Sequence, residues 1–362
     1  MVSLVLHELH QRNGGRFAVL NQTEVVADYG DIAAEHMALT QHAGVLDLSF
    51  RGRLCVTGGD RARFLHGQVT NDVKALKTGE GCYAALITAK GKMQSDLFIH
   101  CLEQELLLDF EPGLSPGISE RLEKYIIADD AQLVDVGSAY GLISVQGPGA
   151  AEVIESLKPG FSIPARSYQS TRIDDAELGE IYLTKHPRLS TSGFDLFAPV
   201  AALGAMFEKL DAAAKRMGGR ACGWSAFEIA RIEAGIPRFG QDMDETNLPL
   251  EAGLERSAIS FQKGCYIGQE VISRVHTFGQ VAKALRVLEF SEAPSVLPAK
   301  GEKLFSGEKE VGYVTSATGS LARPGKCVGL GYARKEVNQP GTELRLRDGT
   351  LAARIAALPA RI

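Results

Sequence analysis

The stretch FQKGCYIGQEVISRVHTFG, residues 261–279, holds the densest group of chemically capable residues in the chain. Lys263, Gly264, Cys265, Gly268, Gln269 and Glu270 crowd together in it. Two glycines bracket the cysteine and permit tight or positive-φ backbone. The run after Gly268, QEVISRV, reads as helical, so Cys265 lies just before a helix N-terminus with Lys263 nearby. A helix N-terminus and a neighbouring cation both favour the thiolate, the form of cysteine that attacks, ligates metals and exchanges disulfides. The competing reading is a buried structural cysteine in a glycine turn. Cys55, Cys101 and Cys222 lie in apolar surroundings and Cys327 starts an apparent strand, so these four read as packing residues. Cys82 adjoins Tyr83 at the mouth of a strand meander and stays open between the two readings.

Two carboxylates stand in segments that also invite chemistry. Asp96 lies in GKMQSDL, beside Ser95, and reads otherwise as a strand residue near a turn. Asp195 lies in STSGFDLF. On an alternating strand Phe194 and Leu196 would face inward, which turns Asp195 to solvent. The histidines His36, His42, His66 and His276 show no HxH, HxxxH or HExxH spacing, so no preformed metal site is expected. His66 reads as a packed or surface residue of a helix. The absence of a GxSxG elbow, a P-loop or a GxGxxG after a strand removes the common hydrolase, NTPase and dinucleotide readings.

The elements that would position these residues follow from caps, periodicity and turns. Residues 31–43 read as a helix capped by Asp31, residues 50–58 as a strand, and residues 60–70 as a helix capped by Asp60. CYAALIT, MQSDLFIHCLE and ELLLDFE form a meander, followed by a helix, ISERLEKYIIA, and a strand, AQLVDV. YGLISVQGP is a strand leading into a short helix, with further strands near 165–172, 179–185 and 193–197. Two helices follow, VAALGAMFEKLDAAAKRM and WSAFEIARIEAG, each closed by glycine. IPRFGQDMDETNLPLEAGLE is a long connection, and such loops are usually functional. From about 281 onward the pattern is strands and turns, which fits a small antiparallel barrel or sandwich. Three blocks result: a mixed α/β body over 1–58 and 137–280, an inserted α+β unit over 59–136, and a C-terminal β module over 281–362.

Composition narrows the class. The 362 residues suggest two or three domains at roughly 100–200 residues each. Lys plus Arg is 39 against 44 Asp plus Glu, so binding nucleic acid by charge neutralisation is not expected. No apolar stretch approaches the ~18 residues that span a bilayer, and the N-terminus carries no basic leader. Six scattered cysteines without a CxxC pair read as reduced thiols. A cytoplasmic protein with neither membrane nor stable nucleic-acid partners is the expectation.

KGCYIGQE resembles the signature of the YgfZ-type folate-binding proteins, implicated in iron–sulfur cluster assembly, within the larger aminomethyltransferase (glycine-cleavage T-protein) superfamily. FLHGQVTNDV, GCYAALITAKGKMQSDL, RIEAGIPRFGQDMDETNLPLEAGL and VGYVTSAT agree with that superfamily, from about residue 31 to the end. The resemblance implies an α+β multi-domain fold: three domains in a ring around a central folate cavity, with a ferredoxin-like insert and a C-terminal antiparallel β-barrel. It implies tetrahydrofolate, or a one-carbon derivative, as cofactor. A pterin offers two parallel donors that one carboxylate can accept together. The resemblance gives that position to Asp195, in place of the superfamily's Glu, with Tyr83 as an aromatic flank. Arg231 would reach the ligand or bind Glu233. In a superfamily segment like GGxxDDL, Ser95 replaces the first acid and Asp96 keeps the second, and which of the two positions is the chemical one stays open.

The function implied is a tetrahydrofolate-dependent accessory role in the assembly, repair or maintenance of iron–sulfur enzymes, radical-SAM tRNA-modifying enzymes among them. Cys265 is its reactive thiol, and its partners are the client proteins or assembly factors. The alternative is a tetrahydrofolate-dependent aminomethyl or methyl transferase with Asp96 as catalytic acid. A folate store without chemistry is the third reading.

Overall fold

The computed structural model describes residues 2–157, 162–279, 281–292, 294–346 and 351–358. Contacts divide the chain into two compact units, Met1–Ala84 with Asp96–Ala230, and Ala85–Ser95 with Arg231–Ile362. The fold class is as expected: a multi-domain α+β chain ending in a closed antiparallel barrel.

The first unit contains a six-stranded sheet in the order Ser170–Asp175, Gly179–Lys185, Gly193–Pro199, Tyr140–Gln146, Gly44–Asp47, Arg220–Ala221. Its central strands are apolar on both sides, and both sides are covered. Val45, Val145, Leu183, Phe194 and Leu196 pack with the helix Leu203–Arg216, while Leu46, Leu142 and Phe197 join a second cluster with Ala226, Phe227 and Ala230. Leu203, Met206, Phe207 and Leu210 recur at helical spacing, so the helix buries one stripe and leaves charge outside. Trp224, the chain's one tryptophan, meets Phe50 edge-on at 5.3 Å and stacks on Phe227 at 5.2 Å between ring centroids.

A second sheet, of five strands, runs Gly81–Ile87, Met93–Cys101, Leu106–Phe110, Gly52–Thr57, Gln132–Asp135. The helices Arg61–Gln68 and Ser115–Glu123 belong to the same stretch of chain. Asp31 caps the helix Ile32–Gln41 as expected, accepting the Ala34 N–H at 3.0 Å. Asp60 does not cap the next helix, because its carboxylate instead accepts the Asp130 N–H at 3.0 Å. The first residues, for which the sequence pattern gave no element, form the helix His7–Arg12 and the hairpin Arg16–Leu20/Thr23–Asp28. The hairpin turns on Asn21 and Gln22, both at positive φ, which suits the twist of a two-residue connection.

The second unit is built on the barrel, closed in the order Lys283–Phe290, Cys327–Arg334, Lys309–Gly319, Lys303–Ser306, Glu343–Leu346, Ala352–Ala356. Closure leaves no unpaired sheet edge. Leu288, Leu304, Val314, Leu344, Ala353 and Ile355 fill the interior. Among the described residues no helix is long and apolar enough to cross a membrane.

Candidate functional site

Strand alternation organises the most polar region of the first unit. Asp96, Phe98 and His100 occupy every second position of Met93–Cys101 and so share one face. Ser95 falls on the other face. From the neighbouring strand Tyr83 stacks on Phe98 at 4.7 Å between centroids and donates its hydroxyl to Asp96 Oδ2 at 2.7 Å. Tyr83 is fully buried and Phe98 only half-buried, so of the two stacked rings Phe98 keeps accessible surface.

Around Phe98 lies a network of buried charges drawn from distant segments. Asp109 sits opposite Phe98 in the strand register. Its two carboxylate oxygens accept from Arg51 Nε at 2.7 Å and Arg188 Nη2 at 2.6 Å. Arg51 Nη1 also donates to Glu111 at 2.7 Å. Arg188 continues to Asp195, with Nη2 at 2.6 Å and Nε at 3.0 Å from Oδ2. The Arg188 and Arg51 guanidinium carbons stand 5.5 and 6.0 Å from the Phe98 centroid. Tyr168, held at a positive φ of 63°, brings its ring to 5.7 Å from Phe98.

Asp195 therefore does not face solvent, as the alternation argument had it. Its strand is interior to the sheet and covered on both faces, and its side chain is wholly buried. Burial alone raises this carboxyl, but Arg188 and His186 more than reverse the effect and hold it well below the ordinary carboxylate range. Asp109 is likewise raised by burial and then lowered further by Arg51 and Arg188. His186 Nδ1 lies 2.8 Å from Asp195 Oδ2, but out of line for a hydrogen bond. Burial and His186 push the His100 imidazole down to about 4, and neither His100 ring nitrogen has a hydrogen-bond partner.

Asp109, His186 and Asp195 offer ligand atoms within 4.8 Å of one another, spacing a metal ion could use. Arg188 already occupies that ground, its Nη2 being 2.6 Å from each carboxylate. The trio fits a guanidinium, and a second cation there would meet the first.

The second unit carries the cysteine motif. Cys265 is exposed, ahead of the helix Gln269–Phe278 that Gln269 and Glu270 open. Gly268 caps that helix at φ 84°, and a Cβ there would stand 2.5 Å from the Thr88 carbonyl. Only glycine fits both demands. Lys263 is buried, with its ammonium 4.7 Å from the Tyr266 ring centre. The other cysteines contrast with Cys265: burial pushes Cys55 up to about 12 and Cys327 up to about 11, and Cys222 rises as well. Arg231 donates Nη1 to Asp242 and to the Ile236 carbonyl, and Nη2 to Ser316. Glu233, the partner considered for it, accepts from Ser320 at 2.7 Å.

Within the first unit the structure thus brings together Tyr83, Asp96 and the surroundings of Asp195. Phe98, Arg188, Asp109, Arg51 and His100 escaped the sequence reading. One signal was available: Arg51 and Arg53 in FRGRLCV put two cations beside an apolar strand, where charge must be paired.

Comparison with known proteins accords with this geometry. Residues 6–263 match the GCVT N-terminal domain and residues 283–360 the glycine cleavage T-protein C-terminal barrel domain. The aminomethyltransferase of Halalkalibacterium halodurans is 26% identical over 360 residues, covering 98% of this chain and 96% of that protein. The aminomethyltransferase of Geobacillus thermodenitrificans is 27% identical over 360 residues, with the same coverage. The crystal structure of glycine cleavage system aminomethyltransferase T from Bartonella henselae superposes with a TM-score of 0.84 at 23% identity, over 98% of this chain and 96% of that one. The chain belongs to the glycine cleavage T-protein family.

Proposed function

We propose that this member of the T-protein family binds tetrahydrofolate, or a one-carbon derivative of it, at the Phe98 cluster of its first unit. One observation carries the reading: a half-exposed aromatic ring ringed by buried carboxylates and guanidinium groups, the chemistry a flat, polar-edged ring system requires. Relatives along the full length are named aminomethyltransferase, which supports one-carbon transfer as the use of that folate. Asp96 is then the acid. It is buried, held by the Tyr83 hydroxyl and on the same face as Phe98. Its negative charge would stabilise a developing cation and steer a proton.

A second use is favoured by the octapeptide around Cys265 and by the exposure of its thiol. In that use the protein is a folate-dependent accessory factor of the YgfZ type for iron–sulfur enzymes, and Cys265 meets the client. The two uses separate in experiment. Equilibrium dialysis against tetrahydrofolate tests the binding they share, and no binding by the full chain ends both. One-carbon transfer to tetrahydrofolate that is lost in Asp96→Asn and kept in Cys265→Ser establishes the transferase. Restoration of cluster-dependent tRNA thiomethylation in cells lacking a YgfZ-type protein, lost in Cys265→Ser and kept in Asp96→Asn, establishes the accessory factor.

A further inference from the structure

The polarity of the cluster beside Phe98 says which edge of a ligand it accepts. Asp195 is wholly buried, and Arg188 covers its carboxylate through Nε and Nη2. Arg188 spends Nη2 on Asp109 as well, and its Nη1 donates to no described residue. Arg51 is similar: Nε and Nη1 are engaged by Asp109 and Glu111, and Nη2 donates to no described residue. Both side chains are more than nine-tenths buried, at 8% and 7% exposed, and both guanidinium groups lie within 6.0 Å of the Phe98 ring centre. A guanidinium donates and never accepts. Neither nitrogen is sealed from solvent without a partner, so each keeps accessible surface and can receive an acceptor atom from a ligand. Two cations stand against the three carboxylates Asp109, Glu111 and Asp195, so the group has no surplus positive charge with which to draw a free anion. A neutral carbonyl oxygen on a flat ring stacked near Phe98 meets every condition.

The geometry points to Arg188, positioned by Asp195, as a specificity-determining residue that reads the acceptor edge of the bound ring. This rests on the folate reading above. For a pterin it means that the 4-oxo group is received by Arg188, and that Asp195 acts through Arg188 and does not itself accept the ring N–H and the 2-amino group.

The test compares binding of tetrahydrofolate and its 4-amino-4-deoxy analogue to the full chain. Replacing the carbonyl by an amine sets donor against donor, and the analogue should bind about tenfold more weakly or worse. The analogue also exchanges the ring N3–H donor for an acceptor nitrogen, so a carboxylate reader loses a bond as well, and the Arg188→Lys comparison is what separates the two readers. Equal or tighter binding of the analogue overturns the inference and leaves folate binding standing. Failure of both compounds to bind overturns the folate reading and the inference with it. Arg188→Lys keeps the charge and loses the fork, and should bring the two affinities within about twofold. A variant that folds and still prefers the 4-oxo compound by the wild-type margin also overturns the inference. The ligand comparison needs no variant, so equal or tighter binding of the analogue still overturns the inference if Arg188→Lys is unstable.

Discussion

Arg188 and Arg231 are both buried arginines bound to buried aspartates, and they differ in what they leave over. The Arg231 group is a clasp. Asp242 receives Arg231 on one oxygen and the hydroxyls of Thr315 and Ser316 on the other, both at 2.6 Å. Gln241 adds a bond to the Thr315 carbonyl at 2.7 Å. Loop and barrel strand in the second unit are thereby stitched together. The Arg188 group has open ends beside a half-exposed ring. A network whose donors and acceptors answer one another suits architecture, while unanswered donors near an accessible ring suit the ligand proposed above.

Breaking the clasp should produce the largest effect. Asp242→Ala removes a buried carboxylate from the Arg231 guanidinium and should cost about 3–5 kcal/mol in denaturant unfolding. Tetrahydrofolate affinity of the protein that remains folded should stay within about twofold. A selective loss of binding in a well-folded variant would erase the contrast between the two arginines.

Acid comes next. His100 is held neutral by burial at about 4, below its ordinary 6.5. The unfolded chain takes up the proton first, so stability is intact above about 6.5 and falls as pH drops toward 4, where both states are protonated. With the imidazole lowered from 6.5 to about 4, the loss over that window is about 3 kcal/mol. His100→Phe removes two unsatisfied nitrogens at similar shape and should flatten that slope. An unchanged pH profile in the variant would assign the acid sensitivity elsewhere.

Phe98→Ala removes the ring beside the open guanidinium groups. Folate affinity should drop by about 1–2 kcal/mol, roughly tenfold, with the clasp untouched. A retained affinity, read by dialysis, would move the site away from the cluster. The smallest effect belongs to Cys265→Ser, expected within about 0.5 kcal/mol of wild type in stability because the side chain is exposed. In the native wild type a thiol reagent should label Cys265 well before the buried Cys55, Cys222 and Cys327.

Local features were legible in the sequence where one rule acts alone. Asp31 capped its helix, the C-terminal strands and turns closed into a barrel, and glycine stood at position 268 because the helix cap needs positive φ against a nearby carbonyl. Asp195 was misplaced because alternation assumes one wet face, and its strand has none. Asp60 was misread because a carboxylate that can cap a helix can equally serve a loop far along the chain. The Phe98 cluster was invisible for a different reason. Arg51, Asp109, Arg188 and Asp195 come from four separate segments, and no spacing rule connects them before the sheets form.

The placement of Trp224 between Phe50 and Phe227 makes the first unit optically distinct. With no other tryptophan in the chain, indole emission follows the melting of that unit, and the barrel is dark at those wavelengths. Far-ultraviolet ellipticity registers strands and helices of both. Superimposed transitions in the two signals would mean that the units unfold in one cooperative step, and separated transitions would give each unit its own stability.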